Sequence, residues 1–90
     1  MSIQIHIHKT HREYTDGLEV VEAQGETIGA CLNDMAARFP GMAGQLFTAP
    51  GQLINTIEIY HNLESAYPNE LARTTRDGDE IHITVMLAGG

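Results

Sequence analysis

Residues 27–41 read TIGACLNDMAARFPG, and this stretch decides the fold because it predicts a single amphipathic helix. Thr27 is a suitable N-cap, since its hydroxyl can accept a hydrogen bond from a free N–H group of the first turn. Pro40 ends the helix, because proline disfavours helical geometry in the residue before it. Six apolar residues recur at helical spacing and form one stripe: Ile28, Cys31, Leu32, Met35, Ala36 and Phe39. The helix therefore has one face that must be buried against another layer.

Two strands are predicted before the helix. Residues 3–8 alternate between isoleucine and polar residues, which is typical of a strand with one buried face. Residues 18–23 are rich in valine and follow the turn signal Asp16-Gly17, so the two strands are expected to form a hairpin. The alternation breaks at Val20-Val21, which predicts a bulge or an ambiguous register there.

Two further strands are predicted after the helix. Residues 56–63 alternate, and His61 falls on the same side as three apolar residues, Ile57, Ile59 and Leu63. Residues 81–87 alternate again after the turn signal Asp77-Gly78-Asp79. Less regular structure is predicted between these elements: a short helical turn over 42–47, a loop over 49–51, and a connection over 62–69 that contains a short strand or turn.

The order of strand, strand, helix, strand, strand predicts an α+β fold. The helix is expected to lie across one face of a mixed sheet, with the first and last strands parallel at its centre. This is the β-grasp, or ubiquitin-like, architecture. Ninety residues suffice for one modest core, so residues 1–90 are predicted to form a single domain with a flexible tail over 87–90.

Composition and charge exclude several classes of function. The net charge of −7 disfavours binding to nucleic acid or to an anionic membrane, and it favours partners with basic surfaces. No apolar run approaches the roughly 20 residues that span a bilayer, so the expected compartment is the cytoplasm. A single cysteine, Cys31, excludes an internal disulfide and any cysteine-rich metal site.

Several short motifs together resemble the MoaD/ThiS family of prokaryotic sulfur carriers. In order along the chain they are Gly25-Glu26-Thr27-Ile28, Arg38-Phe39-Pro40-Gly41, Ile57-Glu58-Ile59-Tyr60, Asp77-Gly78-Asp79-Glu80-Ile81 and the terminal Ala88-Gly89-Gly90. The segment 45–55, which ThiS-type carriers usually lack, makes the chain more similar to MoaD and to the CysO-type carriers that feed cysteine synthesis. Residues 84–87 lack the prolines that many members carry before the last Ala-Gly-Gly, which leaves the partner enzyme open.

The resemblance implies a carrier protein and not an enzyme. The terminal carboxylate of Gly90 would be adenylated by an activating enzyme related to the ubiquitin-activating enzymes, then converted to a thiocarboxylate. That group would give its sulfur to a partner synthase that makes cysteine, molybdopterin or another metabolite. The partner would use the ATP, the carrier itself would hold no cofactor or metal, and it would be a monomer when free. A ubiquitin-like protein modifier and a β-grasp adaptor without sulfur chemistry remain alternatives.

The tail residues suit this chemistry. Gly89 and Gly90 have no side chain, so their backbone can enter a narrow channel and the carboxyl carbon is unhindered. Fully extended, Leu87, Ala88 and the two glycines reach about 13 Å, at ~3.3 Å per residue. Met86 at the root of the tail is predicted, together with Tyr60, to contact the partner.

Other reactive side chains have structural interpretations that we prefer. His6, His8 and His82 are expected on the sheet face away from the helix. A zinc site or a pH-sensitive docking patch is possible there, but no suitably spaced carboxylate or cysteine pair supports a metal, and three solvated histidines are the simpler interpretation. His61 is expected to be partly covered near a strand end. Cys31 is expected in the core, so it should not be the source of the transferred sulfur.

Overall fold

A mixed sheet and one main helix form the body of the protein. The computed structural model describes residues 2–86. The helices are α1 (Ile28–Arg38), α2 (Ala43–Leu46) and short 3₁₀ helices at Lys9–Thr15, Pro40–Met42 and Glu70–Ala72. The strands are β1 (Ile3–His6), β2 (Val20–Ala23), β3 (Phe47–Ala49), β4 (Gln52–Leu53), β5 (Ile57–His61), β6 (Glu64–Ser65) and β7 (Glu80–Val85).

The main sheet places the first and last described strands side by side at its centre. Within residues 2–86 it has five strands in the order β2-β1-β7-β5-β6. β1 and β7 are parallel, with Ile5 opposite Ile81 and His6 opposite His82. β5 lies on the other side of β7 and runs antiparallel to it. The predicted β-grasp arrangement is therefore confirmed.

Helix α1 forms as its sequence predicts. The Thr27 hydroxyl accepts a hydrogen bond from the Ala30 N–H at 3.1 Å, and Pro40 follows the end of the helix. Gly25, just before the helix, is required by close packing, because a Cβ there would lie 2.7 Å from the backbone nitrogen of Cys31. The buried stripe of α1 comprises Ile28, Cys31, Leu32 and Met35, whereas Ala36 and Phe39 are only partly covered.

The core lies between this stripe and the inward residues of the sheet. The strands contribute Ile3, Ile5, Val21, Ala23, Ile57, Ile59, Ile81 and Ile83, and the loops and short helices add Ile7, Met42, Leu46 and Ala66. Burying an aliphatic side chain stabilises the fold by about 1.5–3 kcal/mol, so this shared core holds the helix against the sheet.

Some predictions before the helix are wrong in detail. β1 and β2 pair from Ile3 with Ala23 to His6 with Val20 without a shift, so the predicted irregularity at Val20-Val21 is absent from the described register. Val20 points outward and is 40% exposed, whereas Val21 is buried. The predicted hairpin is confirmed, because β1 and β2 pair antiparallel, and residues 9–15 form a 3₁₀ helix before the turn at Asp16-Gly17.

The predicted strand over residues 56–63 is too long. β5 ends at His61, and Asn62 and Leu63 both have positive φ, of 50° and 71°. They form the two-residue connection to β6, a turn whose backbone twist suits the right-handed twist of paired strands. Leu63 is therefore 79% exposed and not on the inward side of the sheet.

The segment 47–53 contains structure that the sequence pattern did not indicate. β3 and β4 form a small two-stranded sheet around the predicted loop at Ala49-Pro50-Gly51. The predicted helical turn before it is confirmed as α2. The last strand, predicted over 81–87, is observed as Glu80–Val85.

Candidate functional site

The predicted reactive residues lie outside the described part of the chain. Leu87, Ala88, Gly89 and Gly90 follow Met86, the last residue that the structure describes. Met86 itself is 49% exposed, and its N–H donates a hydrogen bond to the carbonyl of Thr56 at 2.7 Å. The tail therefore starts at a fixed position beside Thr56, the residue just before β5.

An open groove begins at the root of the tail. It has a volume of about 520 Å³ and its lining includes Met86, Tyr67, Glu58 and Glu70. Tyr67 is 77% exposed, which leaves an aromatic ring and a methionine side chain available on one surface. We call this surface the tail-root groove. Exposed apolar side chains beside carboxylates suit a partner with an apolar centre and a basic rim.

The structure separates the two residues that were predicted to contact a partner. Met86 lines the tail-root groove, whereas Tyr60 lies opposite His82 on the neighbouring strand and does not line the groove. Sequence reasoning missed Tyr67. It stands in a turn-rich stretch before Pro68 with no alternating pattern around it, and an aromatic residue in such a stretch is a signal for an exposed apolar group.

His61 is held between two charged partners. Its side chain is 10% exposed, and its Nε2 lies 2.7 Å from Asp79 Oδ2. The Arg73 Nε–H donates to His61 Nδ1 at 3.1 Å. Because an arginine only donates, Nδ1 is the acceptor and Nε2 carries the proton that is donated to Asp79. Both ring nitrogens are thus occupied, which favours a structural role over general-base catalysis.

Asp79 organises the turn that precedes β7. Its Oδ1 accepts a hydrogen bond from Asn62 Nδ2 at 3.1 Å, and its Oδ2 accepts one from the Arg76 N–H at 2.9 Å. The hydrogen bonds from Asn62 and then from His61 lower the pKa of the Asp79 carboxyl to about 2. A pKa below the ordinary value means that the ionised carboxylate is favoured in the folded protein.

We expect Asp79→Asn to cost about 2 kcal/mol of unfolding free energy at pH 7, the value that corresponds to the lowered pKa. The contribution of Asp79 is fully present above its unfolded pKa near 3.8 and is lost as the pH falls through about 2. The difference between the wild-type protein and the variant should therefore fall to about half at pH 3.

Urea unfolding of both proteins between pH 7 and pH 2 measures this difference. Asp16→Asn is the matched control, because Asp16 is exposed and has a left-handed backbone that asparagine also adopts. A difference between wild type and Asp79→Asn that stays constant down to pH 2 would contradict the assignment.

Cys31 is a core residue, as predicted. Its side chain is fully buried, and burial raises the pKa of the thiol. Its Sγ–H donates to the Gly25 carbonyl oxygen at 3.6 Å, and its Sγ lies 3.9 Å from the Thr75 hydroxyl oxygen. A buried thiol with a raised pKa is a poor nucleophile, because the thiolate is the reactive form.

We expect Cys31 in the folded protein to react with a thiol reagent such as DTNB at least about a hundredfold more slowly than in urea, because reaction requires transient opening of the core. The family resemblance places the transferred sulfur at the C-terminus and not on Cys31, so Cys31→Ala is expected to be loaded with sulfur at the wild-type rate. The absorbance of the released thiolate measures the first expectation, and intact mass measures the second. Loss of sulfur loading in a folded Cys31→Ala protein would assign the cysteine a direct role.

Two of the three histidines on the outer face lie together. The rings of His6 and His82 are stacked with centroids 4.0 Å apart, and His6 Nε2 is 2.7 Å from Glu80 Oε1. Burial, and then the charge of His6, lower the pKa of His82. His8 is separate from this pair, because its Nδ1 caps the first 3₁₀ helix through the Thr10 N–H. The prediction of three separate solvated histidines is therefore wrong for His6 and His82, whose rings contact each other.

In residues 2–86, no helix has both the length and the apolar character that crossing a membrane requires.

Comparison with curated proteins finds relatives along the whole chain. The chain is 33% identical over 93 aligned residues to the sulfur carrier protein CysO of Mycobacterium bovis, and the alignment covers 100% of each protein. The same identity and coverage hold for the sulfur carrier protein CysO of Mycobacterium tuberculosis. No protein-family model matches the chain.

Solved structures share the fold over almost the full length. The crystal structure of Mycobacterium tuberculosis CysO superimposes with a TM-score of 0.86 at 31% identity, covering 94% of this chain and 99% of that one. A chain of the Amycolatopsis orientalis BexX/CysO complex gives a TM-score of 0.87 at 29% identity, covering 98% and 99%. SAMP1 of Haloferax volcanii gives a TM-score of 0.85 at 24% identity, covering 100% of both chains, and this likeness shows the fold alone.

Proposed function

The chain belongs to the CysO family of sulfur carrier proteins, and we propose that its sulfur travels as a thiocarboxylate at Gly90. The observation that carries this proposal is the 33% identity to CysO over the full length of both proteins. The carrier places its terminal carboxylate in the site of an activating enzyme related to the ubiquitin-activating enzymes. That enzyme transfers AMP from ATP to the carboxylate and releases pyrophosphate.

Activation is needed because a free carboxylate is a poor acyl donor, whereas a mixed anhydride with AMP is a good one. A sulfide or persulfide sulfur attacks the carbonyl carbon of Gly90, and AMP leaves with the electron pair of the broken C–O bond. A persulfide donor also needs a reducing thiol that cleaves its S–S bond. The remaining thiocarboxylate is the form that gives sulfur to an acceptor.

The folded body of the protein supports this role because it holds the start of the tail in a fixed position. Strand β7 leads to the tail and is paired on both sides, with β1 and with β5. The hydrogen bond from Met86 to Thr56 fixes the point where the tail begins. A partner that binds the tail-root groove can therefore hold the terminal carboxylate close to its own catalytic groups. Such positioning of the reacting groups accelerates a reaction.

We propose that the sulfur is used for cysteine synthesis and that the carrier works in the cytoplasm, where ATP is available. The partners are the activating enzyme and a sulfur-accepting synthase, and the carrier contributes no catalytic group and no bound cofactor. A relative in Amycolatopsis orientalis occurs in a BexX/CysO complex, which supports docking of this chain on a partner protein.

The test is the intact mass of the protein after incubation with ATP, sulfide and its activating enzyme. The expected result is a mass gain equal to the replacement of one oxygen by sulfur, located at Gly90 by fragmentation. Omission of ATP is the control. Isopeptide adducts to lysine side chains without any thiocarboxylate would instead support the protein-modifier alternative.

The choice of pathway needs a second measurement. The sulfur-loaded carrier is mixed with the partner synthase and its amino-acid acceptor, and new cysteine is measured by mass spectrometry with isotopically labelled sulfide. Labelled cysteine supports the proposal. Transfer of the label only to a molybdopterin precursor would assign the carrier to that pathway.

A further inference from the structure

Three potential metal ligands meet on the outer face of the central strands. His6 on β1 and His82 on β7 are directly opposite one another in the parallel pairing. Glu80 is two residues before His82 on β7, so its side chain points to the same face. The register of the two innermost strands therefore holds all three side chains together without any contribution from a loop.

The geometry of these groups is close to that of a metal site. One ligand atom from each of His6, Glu80 and His82 lies within 4.8 Å of the other two. Ligands bound to zinc at 2.0–2.1 Å in a tetrahedron are separated by roughly 3.3 Å. The ligand atoms must approach one another by at most about 1.5 Å, and because the two rings are stacked, each ring must also rotate substantially before both nitrogen lone pairs point at one ion. The carboxylate must withdraw slightly from its 2.7 Å contact with His6, and the two parallel rings must tilt toward a common point.

Two of the three side chains have room to make these movements. The side chain of His6 is 30% exposed and that of Glu80 is 50% exposed, so both can reorient. Nδ1 of His82 is buried and has no hydrogen-bond partner in the described residues. Rotation of the His82 ring therefore breaks no hydrogen bond at that atom. The pairing of β1 with β7 fixes the backbone at His6 and His82, and this sets the distance between the two histidines.

We propose that His6, Glu80 and His82 form a binding site for a divalent transition-metal ion, with Zn²⁺ as the best fit. Two imidazoles and one carboxylate are ligands that zinc prefers. Because the site faces solvent, a fourth position stays open for water or for a side chain of a partner. The bound ion would link the first strand of the fold to the strand that leads to the tail.

The sequence analysis considered a zinc site at His6, His8 and His82 and preferred solvated histidines, because it did not identify Glu80 as a ligand: Glu80 has neither helical spacing nor a cysteine neighbour. The proposal goes beyond sulfur carriage and does not rest on it. The alternative is a site without metal, in which Glu80 pairs with His6 and His82 simply stacks on that ring.

The test uses the full-length, tag-free protein after treatment with a chelator. Isothermal titration with ZnCl₂ should show one site per chain. The Tm should rise by roughly 10–20 °C when free Zn²⁺ is a hundred times the measured Kd. His6→Gln, His82→Gln and Glu80→Gln should each weaken binding at least about tenfold, since even losing a supporting group around a metal commonly costs this much.

His8→Gln is the matched control, because His8 lies two residues after His6 but is outside the cluster. It should keep the wild-type Kd. With Co²⁺ as the probe, the wild-type protein and His8→Gln should show the visible absorption of a low-symmetry site, which the cluster variants should lack. Absence of stoichiometric Zn²⁺ binding, or binding that survives in a folded His6→Gln/His82→Gln protein, overturns the proposal.

Discussion

Deletion of Gly90 is expected to abolish sulfur loading of this protein while leaving its fold intact. Removing one residue withdraws the terminal carboxylate by about 3.3 Å, and a displacement of only 1 Å can cost a reaction about a hundredfold. Thiocarboxylate formation with ATP, sulfide and the activating enzyme should therefore fall by at least that factor. The rate is measured from the intact mass of the product over time.

A second variant separates tail length from tail shape. Gly89→Ala keeps the length but adds a Cβ in the tail, and we expect loading to fall at least about tenfold because the backbone loses the freedom of glycine. Gly44→Ala is the matched control, since a Cβ at Gly44 meets no atom within 4 Å. All three proteins should unfold at similar temperatures. Wild-type loading by the Gly90 deletion would refute the thiocarboxylate proposal.

Truncation of Ile59 is expected to have the largest effect on stability among changes in β5. Ile59 is 1% exposed and packs in the core, so Ile59→Ala removes buried methyl groups and leaves a cavity. Such a change costs about 2–5 kcal/mol, a large part of the 5–15 kcal/mol typical of a whole domain. Urea denaturation at pH 7 measures the loss, and circular dichroism shows whether the variant still folds.

Leu63→Ala is the control for this experiment. The alternating pattern places Leu63 on the same side as Ile59, but the structure leaves it 79% exposed in the turn after β5. Its truncation should change the unfolding free energy by less than about 0.5 kcal/mol. Equal losses for the two variants would mean that the strand continues to Leu63, as the sequence pattern alone suggests.

The fold was largely predictable because its signals are local and redundant. The apolar stripe of α1, the alternating isoleucines of β1 and β7, and the turn at Asp77-Gly78-Asp79 each specify one element, and all are observed. The resemblance to sulfur carriers is confirmed by the full-length similarity to CysO. One error falls where β5 ends, since alternation alone cannot show where a strand stops pairing; the others are the irregularity expected at Val20-Val21 and the small sheet of β3 and β4, which has no alternating pattern.

The candidate site was predictable only in part. The tail over 87–90 came from the family resemblance, and its assigned roles stay predictions because these residues lie beyond Met86. Tyr67 in the tail-root groove was not predicted. Its place beside Met86 depends on the path of the chain between β6 and β7, which no periodic pattern encodes.

The sequence by itself determined which faces are apolar, where the main helix begins, and which family the chain resembles, because each of these depends on residue order alone. The tertiary structure decided which distant polar groups meet. Strand register brings His6 to Glu80, which is 74 positions away in the chain, and to His82 on the same strand. Folding likewise places Arg73 and Asp79 on opposite sides of His61. Such pairs arise from long-range packing of the core, which fixes the register of the strands but leaves no local trace in the sequence.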